Sequence, residues 1–210
     1  MTINSLDELV DAMGNNTSRI VLDKANQSGQ AIGSFVSQWR ISGQPGAAAL
    51  PAGPAVCNNT FVGAIPFTQQ TAPATTYGGW LNAVSGNSAT TLEIHDRLMQ
   101  QGGLVGNVTT PQSVGLDLFA NTGVDNLAVR MGDTNFSDIQ WWMEWYVATG
   151  STASVATVDV TLDSGATTSF AVSLAATRPI AHFLPLNSFL NSPGNYIRSI
   201  NTVTLSVSTG

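Results

Sequence analysis

The sequence predicts an all-β protein: an antiparallel β-sandwich, jelly-roll-like in outline, with one short helix at its N-terminus. Three observations lead there. Residues 155–174 alternate apolar and polar side chains across a turn, the signature of an antiparallel hairpin with one wet face. Three of the five tryptophans fall within 141–145, in a run that gives no clean helical stripe but divides well between the two faces of a strand. Short apolar runs separated by Gly, Pro, Asn and Ser recur along the chain, whereas only residues 1–13 read as a helix. About eight or nine strands follow from this spacing.

The helix signal is Ser5-Leu6-Asp7-Glu8, a capping box in which the Ser5 side chain takes the Glu8 N–H and Glu8 reaches back. Leu6, Leu9, Val10 and Met13 form its apolar stripe, and Gly14-Asn15-Asn16 ends it. So short a helix must dock on something, either its own sandwich or a neighbouring molecule. Residues 1–16 are therefore read as an arm and 17–210 as one sandwich domain.

Arg19–Asp23 and Gly33–Ile41 read as the first two strands, the second with Phe35, Ser37, Trp39 and Ile41 on one face. A long irregular stretch at about 42–79 follows, carrying Pro45, Pro51 and Pro54. Loops of this length usually serve a function or lie on a partner. Phe61, Val62, Ile65 and Phe67 within it call for burial. Tyr77–Ser85, Ala89–Leu98 and a short piece at Leu116–Phe119 are the next candidate strands.

Ser137–Thr149 then reads as a central strand. Trp141, Met143, Trp145 and Val147 take one face, and Trp142, Glu144 and Tyr146 the other. In the hairpin, Ala156, Val158, Val160 and Leu162 alternate with polar residues before the turn Asp163-Ser164-Gly165, and Thr168, Phe170, Val172 and Leu174 alternate with Thr167, Ser169, Ala171 and Ser173 after it. Ala181–Leu186 and Ile200–Ser208 complete the strands.

Charged residues make up 10% of the 210-residue chain, against about 25% in an ordinary soluble domain. A surface of Ser, Thr, Asn, Gln and Gly repels its own kind weakly, which suits packing in an assembly. Net charge is −6, and the seven basic residues are scattered from Arg19 to Arg198. That balance argues against nucleic acid as a partner. No apolar run approaches the roughly 18 residues of a membrane span, and no secretory signal is evident, so the reading is of a soluble protein made in a cytoplasm.

The sequence carries no catalytic pattern. His95-Asp96 is the one adjacent His/Asp pair, but strand neighbours point to opposite faces and no Gly-x-Ser-x-Gly elbow occurs. Cys57 has no partner cysteine, and His182 sits on an apolar strand. The acidic turns at Asp125 and Asp133 lack the spacing of a calcium loop. Neither metal nor cofactor is expected. Trp142, Glu144 and Tyr146 could in principle grip a sugar, which makes a carbohydrate-binding module the alternative.

Two segments resemble a known class. Gly43-Gln44-Pro45-Gly46-Ala47 after a Trp-bearing strand, and His95-Asp96-Arg97-Leu98 followed by Gly102-Gly103, are similar to stretches in small virion proteins of tailed bacteriophages. The capped helix and Arg178-Pro179 with Leu184-Pro185-Leu186 fit the same outline. The resemblance implies a non-enzymatic capsid decoration or cement protein on the virion surface. Its partner would be the major capsid protein, and it would act as a homo-oligomer, with a trimer favoured; a tail or neck position is the further alternative. Leu6, Leu9, Val10, Met13, Pro45, Pro51 and Pro54 would then make capsid or subunit contacts. Trp39, Trp141, Trp142, Trp145 and Tyr146 would serve as core or interface rings.

Overall fold

A computed structural model describes residues 4–14, 20–27, 29–67, 82–84, 86, 91–132 and 135–210. Its elements, in chain order, are α1 (Leu6–Gly14), β1 (Asp23–Lys24), β2 (Phe35–Val36), β3 (Gly43–Gln44), β4 (Ala55–Val56), β5 (Met99–Gln100), β6 (Gln112–Asp117), α2 (Leu127–Arg130), β7 (Trp142–Glu144), β8 (Ser154–Leu162), β9 (Thr167–Leu174), β10 (His182–Pro185) and β11 (Ile197–Leu205). The protein is all-β and antiparallel, as the sequence predicts. A four-stranded sheet has the order β6-β11-β8-β9, and a three-stranded sheet the order β2-β10-β7. Two-stranded ribbons β1-β3 and β4-β5 accompany them. The arrangement is sandwich-like. Among the described residues it lacks the paired four-stranded sheets of a full jelly roll.

The large sheet forms where alternation is longest. Across the hairpin, Ala156 faces Val172, Val158 faces Phe170 and Val160 faces Thr168. Asp163-Ser164-Gly165 turns the chain, with Gly165 at φ +85°, a conformation that suits glycine. Val158, Val160 and Val172 are fully buried, and each such side chain contributes about 1.5–3 kcal/mol.

Strand β11 departs from strict alternation. Ile197, Ile200, Val203 and Leu205 are all buried although the first three are spaced three residues apart. Two irregularities account for this: the pairing shifts between Ile197 and Ser199, and again between Ile200 and Thr202. Each bulge adds one residue and restores the inward face, so Ile197 meets Leu162, Ile200 meets Val160 and Val203 meets Val158.

Trp141 and Trp145 close the core from the other layer, both buried beside Ile139, Phe136 and Leu186. The Trp141 indole N–H donates to the Ile197 carbonyl at 2.8 Å, which ties the layers together. Helix α2 adds Leu127, fully buried.

Several expectations need correction. The aromatic strand is not central: β7 covers three residues and lies at the edge of its sheet, with β10 in the middle. The chain bends at Tyr146, which leaves Val147 exposed instead of beside Trp145. Gly33–Ile41 keeps only Phe35–Val36 as strand and then turns. In the Arg19–Asp23 stretch, Arg19 lies outside the described residues, Ile20–Leu22 are exposed coil, and pairing begins at Asp23. Of Ala89–Leu98, residues 89–90 lie outside the described residues, 91–98 make no ladder, and pairing starts at Met99. Of Tyr77–Ser85 only 82–84 are described, as exposed coil. The segment expected at Leu116–Phe119 is the longer β6, which starts at Gln112.

Candidate functional site

Among the described residues the candidate surfaces are the arm, the proline loop and the aromatic cluster. The arm forms as its cap predicts: the Glu8 N–H donates to Ser5 Oγ at 3.2 Å. The return bond goes one residue further than a standard capping box, from the Asn4 N–H to Glu8 Oε2 at 2.6 Å. Leu6 is 73% exposed and Val10 59%, while Leu9 is half-buried. The side chain of Met13 lies outside the described residues. The apolar stripe is therefore not sunk into the sandwich.

The proline loop is stapled to its own chain along much of its described length. Lys24 Nζ donates to the carbonyls of Ile41 at 3.2 Å and Pro45 at 2.5 Å. Arg40 Nη1 donates to the Ala48 carbonyl, and Gly102 N–H to the Pro51 carbonyl at 3.2 Å. Strand β4 then pairs with β5. Pro45 and Pro51 are half-buried in these contacts, whereas Pro54 is exposed. Thr71-Ala72-Pro73 and the rest of 68–81 lie outside the described residues. The burial expected for the 61–67 piece is only partial. Phe61 is half-buried, but Val62 is 62% exposed, and Ile65 and Phe67 also face solvent. A chain that turns at Asn59-Thr60 and again at Val62-Gly63 leaves these side chains no second layer to enter.

The third surface lies on the small sheet. Trp142 stacks on Phe183 with centroids 4.4 Å apart and planes 1° apart, and Phe35 meets it edge-on at 5.3 Å. His95 approaches the same indole at 6.0 Å. Beneath them, both Nη atoms of Arg97 donate to Glu144 Oε2 at 3.0 Å. The Glu144 side chain is 5% exposed. Arg97 also lies over the Trp39 ring at 4.8 Å, and Arg40 over Tyr146 at 4.9 Å. Burial, and then the Glu144 charge, push the Tyr146 hydroxyl up to about 12. These rings and charges already hold one another. That arrangement leaves Trp142, Glu144 and Tyr146 poorly placed to grip a sugar.

The His, Asp and Cys residues singled out in the sequence take different partners and form no catalytic set among the described residues. His95 meets Glu93 at 3.0 Å, and Asp96 instead accepts a two-pronged bond from Arg130 at 2.7 and 2.9 Å. Cys57 is buried, and burial pushes its thiol up to about 11, so it stays protonated at neutral pH. His182 is buried against Trp145 at 5.1 Å, and desolvation, then Arg178, lower its pKa. Among the described residues no three His, Cys, Asp or Glu side chains gather as a metal site, and no helix is long and apolar enough to cross a membrane. Asp125 accepts a bond from Asn58 at 3.1 Å, while Asp133 lies outside the described residues.

Sequence reasoning missed Arg97 and Arg130 as organising residues. Arg130 binds Asp96 and also the carbonyls of Cys57 (2.6 Å) and Arg97 (3.1 Å), joining three stretches of chain. Their carboxylate partners lie 47 and 34 positions away, so no local pattern marks them. No family model, curated protein or solved structure matches the chain.

Proposed function

We propose that this protein is a structural component of a bacteriophage virion. In this reading it is a capsid decoration or cement protein that clamps neighbouring major capsid subunits from outside the head. The observation that carries the reading is the arm: a capped helix whose Leu6 and Val10 face solvent. A helix of nine residues holds poorly in water without a partner for its apolar side. Val62, Ile65 and Phe67 on the proline loop offer a second apolar surface. The low charge suits attachment to a crowded shell, and many modest contacts made by a symmetric homo-oligomer would add up through multivalency.

The test is deletion of residues 1–14, assayed by co-sedimentation with heads of the encoding phage that were purified without the protein. The truncated protein should keep its β-sheet circular dichroism and lose binding to heads. Undiminished binding would refute the role of the arm. Co-sedimentation with tails in place of heads would refute the capsid assignment.

A further inference from the structure

The two edges of the large sheet are treated differently. At β6 the open side is covered by side chains that imitate a strand. Gln101 Oε1 accepts from the Gly115 N–H at 2.7 Å, and Gln101 Nε2 donates to the Ser113 carbonyl at 3.3 Å. One side-chain amide thus meets a donor and an acceptor two residues apart, as the peptide group of a neighbouring strand would. The Gln112 side chain reaches outward from β6 to the preceding loop, accepting from the Val105 N–H at 2.7 Å and donating to the Val105 and Val108 carbonyls at 3.1 and 3.2 Å. Pro54 lies so close to Gly115 that a Cβ there would sit 2.6 Å from its Cγ. The β6 edge is closed.

Among the described residues nothing comparable covers β9. Leu162 N–H donates to the Ala166 carbonyl at 2.8 Å, and Val155 accepts on its carbonyl from Ser206 N–H at 2.8 Å. Even-numbered residues of β8 therefore bond towards β9 and odd-numbered ones towards β11. By the alternation of an antiparallel ladder, Thr168, Phe170, Val172 and Leu174 bond to β8. The N–H and C=O groups of Thr167, Ser169, Ala171 and Ser173 point away from the sheet. No described residue hydrogen-bonds to them, and the 3₁₀ turn Asn187–Phe189 passes β9 without doing so.

Monomeric proteins commonly guard such an edge with Lys, Pro, a bulge or a short strand. Here the edge is eight residues long, pairs with β8 without a register shift, and holds neither a charge nor a proline. The side chains beside it are Ser169, Ala171 and Ser173, small and exposed, so another strand can approach closely.

We propose that β9 is an assembly edge, and that it pairs antiparallel with β9 of a second copy about a two-fold axis, giving one continuous eight-stranded sheet. Register selects a second copy in this orientation. About a two-fold axis at Ala171, Ser169 of one copy lies opposite Ser173 of the other, so outward N–H groups meet outward C=O groups along the edge. In a symmetric parallel pair each outward residue would need partners one position away, whose groups already bond to β8. No charge between Ser164 and Thr177 opposes the contact. An isologous contact of this kind is self-complementary and closed. The inference goes beyond the capsid reading and does not depend on it.

The full chain is measured by native mass spectrometry and sedimentation equilibrium. The wild type should populate dimers, or assemblies of even copy number. Ala171→Pro removes an outward N–H and no bond within the monomer. It should raise the dimer dissociation constant about tenfold or more, as should the double variant Ser169→Lys, Ser173→Lys. Ser113→Lys, on the closed β6 edge, should leave association unchanged. Should Ala171→Pro fail to fold, the lysine pair decides, since both of its positions are exposed. In wild-type protein, hydrogen exchange at Ser169, Ala171 and Ser173 should slow as concentration rises. The proposal is overturned if the wild type is monomeric or only trimeric, if both β9 variants associate as tightly as the wild type, or if those amides exchange equally fast at every concentration.

Discussion

The sheet built from β8, β9 and β11 and the region from Asp23 to Phe67 satisfy their backbone in opposite ways. In the sheet, strands of nine, eight and nine residues bond to one another, and the apolar face follows almost entirely from alternation. In the earlier region the ladders are two residues long. Lys24, Arg40 and Arg130 supply donors to carbonyls there that a strand would otherwise have supplied. Buried backbone groups must be paired in either case. What differs is whether the partner is a regular neighbour or one long side chain. The first arrangement tolerates a change at any single polar position, whereas the second concentrates its risk in a few cations.

The largest effect should come where the earlier region meets the three-stranded sheet, since Arg97 also reaches Ser37 and lies over Trp39. Arg97, on the stretch leading to β5, grips the nearly buried Glu144 of β7. Removing one partner of a buried ion pair leaves the other charge without compensation, at a cost of about 3–5 kcal/mol. Because Arg97 keeps some exposure, Arg97→Ala should fall near the lower end, about 3 kcal/mol. Urea unfolding followed by tryptophan fluorescence measures it. A loss below about 1 kcal/mol, in the range of a surface pair, would show that the earlier region and the three-stranded sheet are not coupled through this contact.

The same contrast governs what could be read in advance. The hairpin is legible because each residue of Val155–Leu162 reports its own face. The core tryptophans Trp141 and Trp145 follow from the same rule. Strand β11 blurs at its bulges, since a single inserted residue exchanges inside and outside. The N-terminal strands are not legible in this way. Arg19–Asp23 and Gly33–Ile41 have suitable composition, but a strand needs a partner at matching register, and that partner is fixed by chain far away. The arm is legible from its cap, but the exposure of its stripe is not, because the sequence does not say what the helix will meet. Arg97 and Arg130 carry no local mark at all. The unguarded β9 edge was present in the composition, but it gains meaning only beside the covered β6.

A smaller effect should follow pH. His182 of β10 sits between the short strands β2 and β7, buried, with a pKa lowered by desolvation and then by Arg178. The folded state therefore resists taking up the proton that the unfolded chain accepts near pH 6.5. Stability from this group is whole above the unfolded value and declines as pH falls from there towards the folded pKa. One proton limits the slope to about 1.4 kcal/mol per pH unit. Urea midpoints between pH 7 and pH 5 should show that decline in the wild type and a flatter profile in His182→Gln. Equal slopes would place the acid sensitivity elsewhere.

The smallest effect should separate the arm from the body. Ser5 holds the first turn of α1 through the Glu8 N–H, and loss of such a cap costs about 1 kcal/mol of helix stability. Leu6 and Val10 are exposed, so that local loss has little packing through which to reach the core. Ser5→Ala should therefore leave the urea midpoint of the sandwich within experimental error, speed amide exchange at Glu8 and Leu9, and weaken head binding. A clear drop in the midpoint would mean that the stripe docks on its own domain in solution. The arm would then be part of the fold, and the proposed contact with a neighbouring subunit would lose its main support.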